Sequence, residues 1–449
     1  MEPEHLQNFI ANQFVPALGG GTLPNLNPAT GALLCEVPRS QAADADAAAA
    51  AALAAFPAWS ATPAPARAAL LERVADLLER HAPALARLES EDSGKTLRQA
   101  TDTDLPRAAA NLRFFAGAIR HDHGGAAFHT ADSINYTSRH AVGPCVLITP
   151  WNLPLYLLTW KVAPALACGN TVVCKPSELT PRTACALAAL FREAGAPPGV
   201  LNVVHGLGGE VGARLVAHPA LRLVSFTGGT DTGRLVAAAA APLFKRLSLE
   251  LGGKNATIVF ADAPLAQAVA GARRAAFTNN GMVCLAGSRV LVQRALYERF
   301  CAALGEAVGA LVLGDPLCPA TDVGPVCSAA HRDRVLGYIE LGVGEGGRVL
   351  AGGCFVRPTV LAGLDARSSR CAREEIFGPV CTVHAFDTEG EAVALANDSR
   401  YGLCASVWTQ DLTVAHRVAR ALEVGMVCVL PAVGRASRAS LALASCAPC

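Results

Sequence analysis

From Val142 onward, short apolar runs rich in β-branched residues alternate with helical patterns, and this rhythm limits what the chain can fold into. The runs are Cys145-Val146-Leu147-Ile148, Thr171-Val172-Val173-Cys174, Val200 to Val204 and Leu223-Val224-Ser225-Phe226. Helical patterns over Pro181 to Ala194 and Gly209 to His218 separate them. Parallel strands need crossover connections rather than tight turns, so strand and helix in alternation predict a parallel, doubly wound sheet. That architecture places ligands beyond the C-terminal ends of its strands. A second alternation begins at Ala256 to Phe260 and includes Arg289 to Val292, Val380 to Phe386 and Cys404 to Trp408. With 449 residues the chain exceeds one compact core, and two α/β domains are expected.

Ahead of this region, Phe9 to Pro38 reads as strand pieces punctuated by glycine and asparagine turns. Ala42 to Ala58 reads as an alanine-rich helix ended by proline. Ala64 to Leu97 carries Leu70, Leu71, Val74, Leu77 and Leu78 on one helical stripe, and Asn111 to Arg120 continues in another helix. Residues 121–141 are polar and glycine-punctuated, then strand-like at Ile134 to Thr137, which predicts a small hairpin.

A net charge of +1, with only five lysines, offers no basic surface for nucleic acid. The uncharged stretch Ala141 to Trp160 is interrupted by Pro144, Pro150, Asn152 and Pro154, which argues against a membrane span. Met1-Glu2-Pro3-Glu4 lacks the start of a secretory signal. Sixteen cysteines without such a signal suggest reduced thiols in a cytoplasmic protein. Their spacing gives no metal framework, and Cys446-Ala447-Pro448-Cys449 lacks the context of a redox motif.

Three segments carry chemistry. Cys284 lies in Asn279-Asn280-Gly281-Met282-Val283-Cys284, Glu250 opens Glu250-Leu251-Gly252-Gly253-Lys254, and Asn152 sits in Pro150-Trp151-Asn152-Leu153-Pro154. A thiol, a carboxylate and a carboxamide can attack a carbonyl, activate water and hold an oxyanion. Phe226-Thr227-Gly228-Gly229-Thr230-Asp231-Thr232-Gly233 follows a strand and opens a helix. Its exposed amides suit phosphate, although the spacing is not the usual G-x-G-x-x-G. As plain structure, Cys284 would be a buried thiol, Asn152 a turn residue, Glu250 a charge beside a Gly-Gly turn, and the glycine-rich segment only a turn.

In this order the segments resemble the aldehyde dehydrogenase superfamily, from about Asn8 to Met426. The resemblance implies an α/β fold of two doubly wound domains plus a small oligomerisation hairpin. Residues 1–120 and 142–249 would bind dinucleotide, 121–141 form the hairpin, 250–427 the catalytic domain and 428–449 an atypical tail. Cys284 would be the nucleophile, Glu250 the general base for hydrolysis, and Asn152 the oxyanion donor. Lys175 and Glu178 would hold the adenosine ribose, Gly228, Gly229 and Gly233 approach the pyrophosphate, Glu375 bind the nicotinamide ribose, and Phe377 pack near its ring. A carboxylate at Glu178 favours NAD over a 2′-phosphorylated cofactor.

The segment Trp151 to Thr180 is most similar to the branch acting on muconic-type semialdehydes. Their carboxylate calls for a pocket cation, and Arg113 occupies the matching place. A retinal or aliphatic aldehyde stays open as the substrate. The sequence departs from the family at Gly229, commonly serine, at Met282, commonly polar, and after Val427. There it lacks the P-F-G-G turn and final strand that help assemble homo-oligomers. A catalytically impaired NAD-binding variant therefore stands beside the working enzyme.

Overall fold

The computed structural model describes residues 4–121, 125, 127–351 and 356–430. The chain forms two compact units, one of residues 1–93 and 97–250 and the other of 94–96 and 251 onward.

The first unit is built on a seven-stranded sheet: β1 (Asn8–Ile10), β2 (Gln13–Val15), β3 (Cys145–Ile148), β4 (Val172–Lys175), β5 (Leu201–Val203), β6 (Leu223–Thr227) and β7 (Arg246–Glu250). Its order is β7-β6-β3-β4-β5-β1-β2. The five strands from β3 to β7 run parallel, while β1 and β2 close one edge antiparallel. Within the parallel part the chain goes outward from β3 in one direction and then in the other, so β3 and β6 flank a topological switch point.

Helices α1 (Ala42–Ala61), α2 (Ala64–Arg80), α3 (Ala82–Ser93), α4 (Leu105–Arg120), α5 (Pro154–Ala167), α6 (Arg182–Glu193) and α7 (Thr230–Ala240) complete it. The expected stripe of α2 is buried at Leu70, Leu71, Val74, Leu77 and Leu78. It faces Leu105, Ala108, Leu112 and Ala116 of α4 in a core that also takes in Leu155, Leu158 and Val162 of α5. Full burial of each such leucine contributes roughly 1.5–3 kcal/mol. Residues 127–129 and 134–136 pair as an antiparallel hairpin.

Three boundaries differ from the sequence reading. Helix α1 runs through Pro57 to Ala61 rather than ending there. The stretch 64–97 is two helices, because His81 leaves helical geometry just ahead of Pro83. Helix α4 begins at Leu105 and follows without a break from a π-helical turn over Ala100–Asp104, with Pro106 just past the junction.

The second unit carries β8 (Ala256–Val259), β9 (Arg289–Gln293), β10 (Arg348–Ala351), β11 (Thr359–Ala362), β12 (Val380–Phe386), β13 (Cys404–Trp408) and β14 (Met426–Leu430). The order is β10-β11-β12-β9-β8-β13-β14, and only β10 is antiparallel to its neighbour. Helices α8 (Leu265–Phe277), α9 (Arg294–Gly309), α10 (Ala329–Gly344), α11 (Glu389–Asn397) and α12 (Leu412–Ala421) join the strands. Ser328, Thr388 and Asp411 cap α10, α11 and α12 by accepting backbone N–H bonds in their first turns. Strand β14 carries Cys428 to Leu430, which the sequence reading put in the tail, into register with β13. The remainder of that tail, with Cys446 and Cys449, lies outside the described residues.

Candidate active site

In the first unit the candidate residues cluster at the C-terminal ends of the parallel strands. Asn152 is buried, four residues beyond β3 and just ahead of α5. Gly228 and Gly229 join β6 to α7, so Asn152 and this turn stand on the two strands that flank the switch point. The Gly228 N–H donates to the Glu250 carbonyl at 3.0 Å, which ties the turn to the end of β7 and places Glu250 beside it. Gly229 is the N-cap of α7, and a Cβ there would meet nothing within 4 Å. Gly233 lies in the first turn of that helix and donates its N–H to the Gly229 carbonyl.

Lys175 ends β4, and its ammonium donates to the Pro176 carbonyl at 2.9 Å and to Glu178 at 3.3 Å. Burial lowers the Lys175 pKa, with Glu178 opposing. Lys161 on α5 donates to Ser225 at 2.8 Å; burial brings its pKa down to about 8, against the pull of Glu250. Sequence reading missed Lys161, whose only signal is a lysine in an otherwise apolar helix.

Arg113 stands apart from these residues. It is half-exposed on α4, and its guanidinium donates to Asp76 at 2.9 Å and Glu79 at 2.5 Å, both on α2. Two turns earlier on the same helix, Arg107 lies 5.7 Å from the ring centres of both Tyr156 and Trp160 of α5.

In the second unit the candidates gather at the opposite ends of the strands. Cys284 precedes β9, Glu375 and Phe377 precede β12, and the Gly252-Gly253 turn precedes β8. Crevices of open α/β sheets ordinarily sit at strand C-termini, and this unit departs from that expectation. Its site is held by loop interlocking instead. Asn279, Asn280 and Gly281 all have left-handed backbone, with φ of 53°, 57° and 71°. Asn280 fixes this bend by donating to the Gly94 and Pro325 carbonyls and accepting the Gly324 N–H. A Cβ at Gly281 would lie 2.1 Å from the Gly378 carbonyl oxygen, so only glycine lets the Cys284 loop approach the Glu375–Phe377 segment this closely.

Phe377 is itself left-handed at φ 62°. Its carbonyl accepts a hydrogen bond from the His331 ring at 2.7 Å, and the two rings meet edge-on at 6.3 Å. Burial lowers the His331 pKa. The Glu375 carboxylate accepts the Gly253 N–H at 2.9 Å, and burial raises its pKa. Cys284 is half-buried, and its carbonyl accepts from Asn255 at 2.7 Å. Asn255 and His331 were not singled out in the sequence, since neither residue type announces a backbone clamp.

Comparison with known proteins shows the family. The profile described as the aldehyde dehydrogenase family matches residues 14–437, and the chain belongs to that family. It is 44% identical to the 2-aminomuconic semialdehyde dehydrogenase of Danio rerio, covering 94% of this chain and 89% of that one. Identity is 43% to the 2-hydroxymuconic semialdehyde dehydrogenase of Pseudomonas sp. strain CF600, over 95% of this chain and 91% of the relative. Among solved structures, an indole-3-acetaldehyde dehydrogenase complexed with NAD+ superposes with a TM-score of 0.93 at 41% identity, covering 97% of this chain and 90% of that one. No helix among the described residues is long and apolar enough to cross a membrane.

Proposed function

We propose that this chain oxidises a muconic-type semialdehyde, such as 2-aminomuconic semialdehyde, to the corresponding acid with NAD. The placement of Asn152 and the Gly228-Gly229 turn about the switch point of a parallel sheet carries the dinucleotide part of this reading. Relatives named for muconic semialdehydes support the substrate class.

The residues present fit the cofactor. Gly229 leaves open space at the positive end of α7, suited to a pyrophosphate. The buried Lys175 with Glu178 supplies a donor and an acceptor for ribose hydroxyls, and the carboxylate disfavours a 2′-phosphate. Glu375 offers a second ribose acceptor. When bound, NAD supplies the hydride acceptor.

The protein's own groups do the rest. The Cys284 thiolate forms a bond to the aldehyde carbon, and the resulting oxyanion is held by the Asn152 amide and the Cys284 backbone N–H. Hydride loss leaves a thioester on Cys284. Glu250 then takes a proton from water as the water oxygen adds to the thioester carbon, and the C–S bond breaks to give the acid and the Cys284 thiolate.

The substrate carboxylate requires a cation, and two arginines of α4 compete for that role. Arg113 donates to two carboxylates of α2, and Arg107 lies over aromatic rings of α5, the helix that begins just after Asn152. The stacking of Arg107 on the helix that follows Asn152 favours Arg107. The test is NADH formation with a muconic semialdehyde and with a neutral aldehyde, for wild type, Arg107→Ala and Arg113→Ala. Selective loss on the acidic substrate identifies the cation. An enzyme that binds NAD yet oxidises neither aldehyde would overturn the proposed activity.

A further inference from the structure

We infer that Asn255 is a positioning residue that sets the backbone of the nucleophile loop. The inference rests on Cys284 acting as the nucleophile. Asn255 lies between the Gly252-Gly253 turn and β8, and it is buried at 4% exposure.

Its single carboxamide holds three backbone groups. Nδ2 donates to the Cys284 carbonyl at 2.7 Å and to the Ala286 carbonyl at 3.0 Å. Oδ1 accepts the Cys404 N–H at 3.1 Å, where β13 begins. Thus both carbonyls flanking Leu285 are anchored to a group that is itself fixed to the central sheet. The Asn255 carbonyl adds a fourth tie by accepting the Arg289 N–H at 3.3 Å, at the start of β9.

Gly253 gives an independent sign that this packing is specific. A Cβ there would lie 2.6 Å from the Cys284 carbonyl oxygen and 2.8 Å from Asn255 Oδ1, so the turn has room only for the clamp. The loop from Met282 to Ser288 has no regular secondary structure, and beside a turn bond from the Ala286 N–H to the Val283 carbonyl and the Gly287 N–H tie to Ala275, Asn255 supplies two bonds that hold the carbonyls of Cys284 and Ala286. Fixing the carbonyl of Cys284 fixes the rotation of its backbone, and with it the origin of the side chain that must reach the aldehyde carbon. Misplacement of a reacting group by about 1 Å can cost on the order of 100-fold in rate.

Asn255→Asp is the informative variant. It retains an acceptor for the Cys404 N–H but replaces both donated bonds by oxygen facing oxygen when ionised; protonation restores one donor. The expected result is a kcat lowered about 10- to 100-fold, with KM for NAD changed less than twofold. The ratio of variant to wild-type kcat should rise as pH falls, because protonation rescues a donor. A merely stabilising role would not produce that pH-dependent ratio at temperatures well below melting.

Alkylation of Cys284 by iodoacetamide, followed by peptide mass, reads the nucleophile without any aldehyde. It should slow in parallel with kcat. Asn255→Ser serves as the second variant should the aspartate variant fail to fold, and its one hydroxyl donor should leave intermediate alkylation and turnover. A folded Asn255→Asp or Asn255→Ser protein with alkylation and kcat within twofold of wild type at every pH would overturn the inference. If wild type turns over no aldehyde, the proposed activity fails while the alkylation comparison still decides the role of Asn255.

Discussion

Cys284, Asn152 and Glu250 stand out in the sequence as candidates because each sits in a short motif whose chemistry is distinctive. Replacing Cys284 by alanine should abolish NADH formation while leaving NAD binding intact, as measured by cofactor fluorescence. Asn152→Ala should lower kcat about 100- to 1,000-fold, the usual effect of removing one oxyanion donor. Arg113 shows what a motif cannot convey. Its position on α4 was readable, but Asp76 and Glu79 lie more than thirty residues earlier, and only the packing of α2 on α4 shows that they share its guanidinium. His384 carries a further residue-scale prediction. Burial brings the His384 pKa down to about 4, while its ring bonds the Leu364 carbonyl and the Thr382 hydroxyl. A base with a depressed folded pKa contributes full stability above its unfolded value near 6.5. That contribution is lost as pH falls toward 4, at about 1.4 kcal/mol per pH unit. The His384 ring resonances in a proton–carbon NMR spectrum should therefore keep their neutral positions down to about pH 5.

At the scale of elements, strands announced themselves better than their limits did. The runs that became β3, β4, β5 and β6 are short, apolar and bounded by turn residues, and the structure places a strand on each. Strand β7 escaped notice because Leu247 and Leu249 alternate with Arg246, Ser248 and Glu250, and five residues give little periodicity against a catalytic motif. The bend before Cys284 was also hidden, since three left-handed residues in succession have no signature beyond Asn-Asn-Gly. That bend is testable. Alanine at Gly281 adds a left-handed penalty of about 1–2 kcal/mol and drives a methyl into the Gly378 carbonyl. Gly281→Ala should lower the denaturation midpoint and depress turnover together, as read by chemical denaturation and NADH formation.

For the whole molecule, two alternations of strand and helix predicted two α/β bodies, and the chain is α/β throughout. What the pattern could not supply is which end of each sheet is used. Strand direction is symmetric in a hydrophobicity profile, and only the loops determine that the first unit presents strand C-termini and the second presents N-termini. Hydrogen exchange offers a test at this scale. Saturating NAD should protect the amides of 174–178 and 226–233 in the first unit, and a competing ligand should reverse that protection. Exchange at 174–178 and 226–233 unaffected by NAD would remove the cofactor assignment.

The glycines described above also bear on how such a chain can change over generations. At Gly253 and Gly281 a single added carbon collides with a neighbouring carbonyl, so substitution there demands a second, compensating change before it can persist. Gly229 stands at a helix N-cap with empty space around it, where serine would fit and cap. Drift should therefore be slow beside the thiol and permitted at the turn proposed to hold the pyrophosphate, so that single steps at Gly229 can retune the proposed cofactor contact while the loop around Cys284 stays fixed.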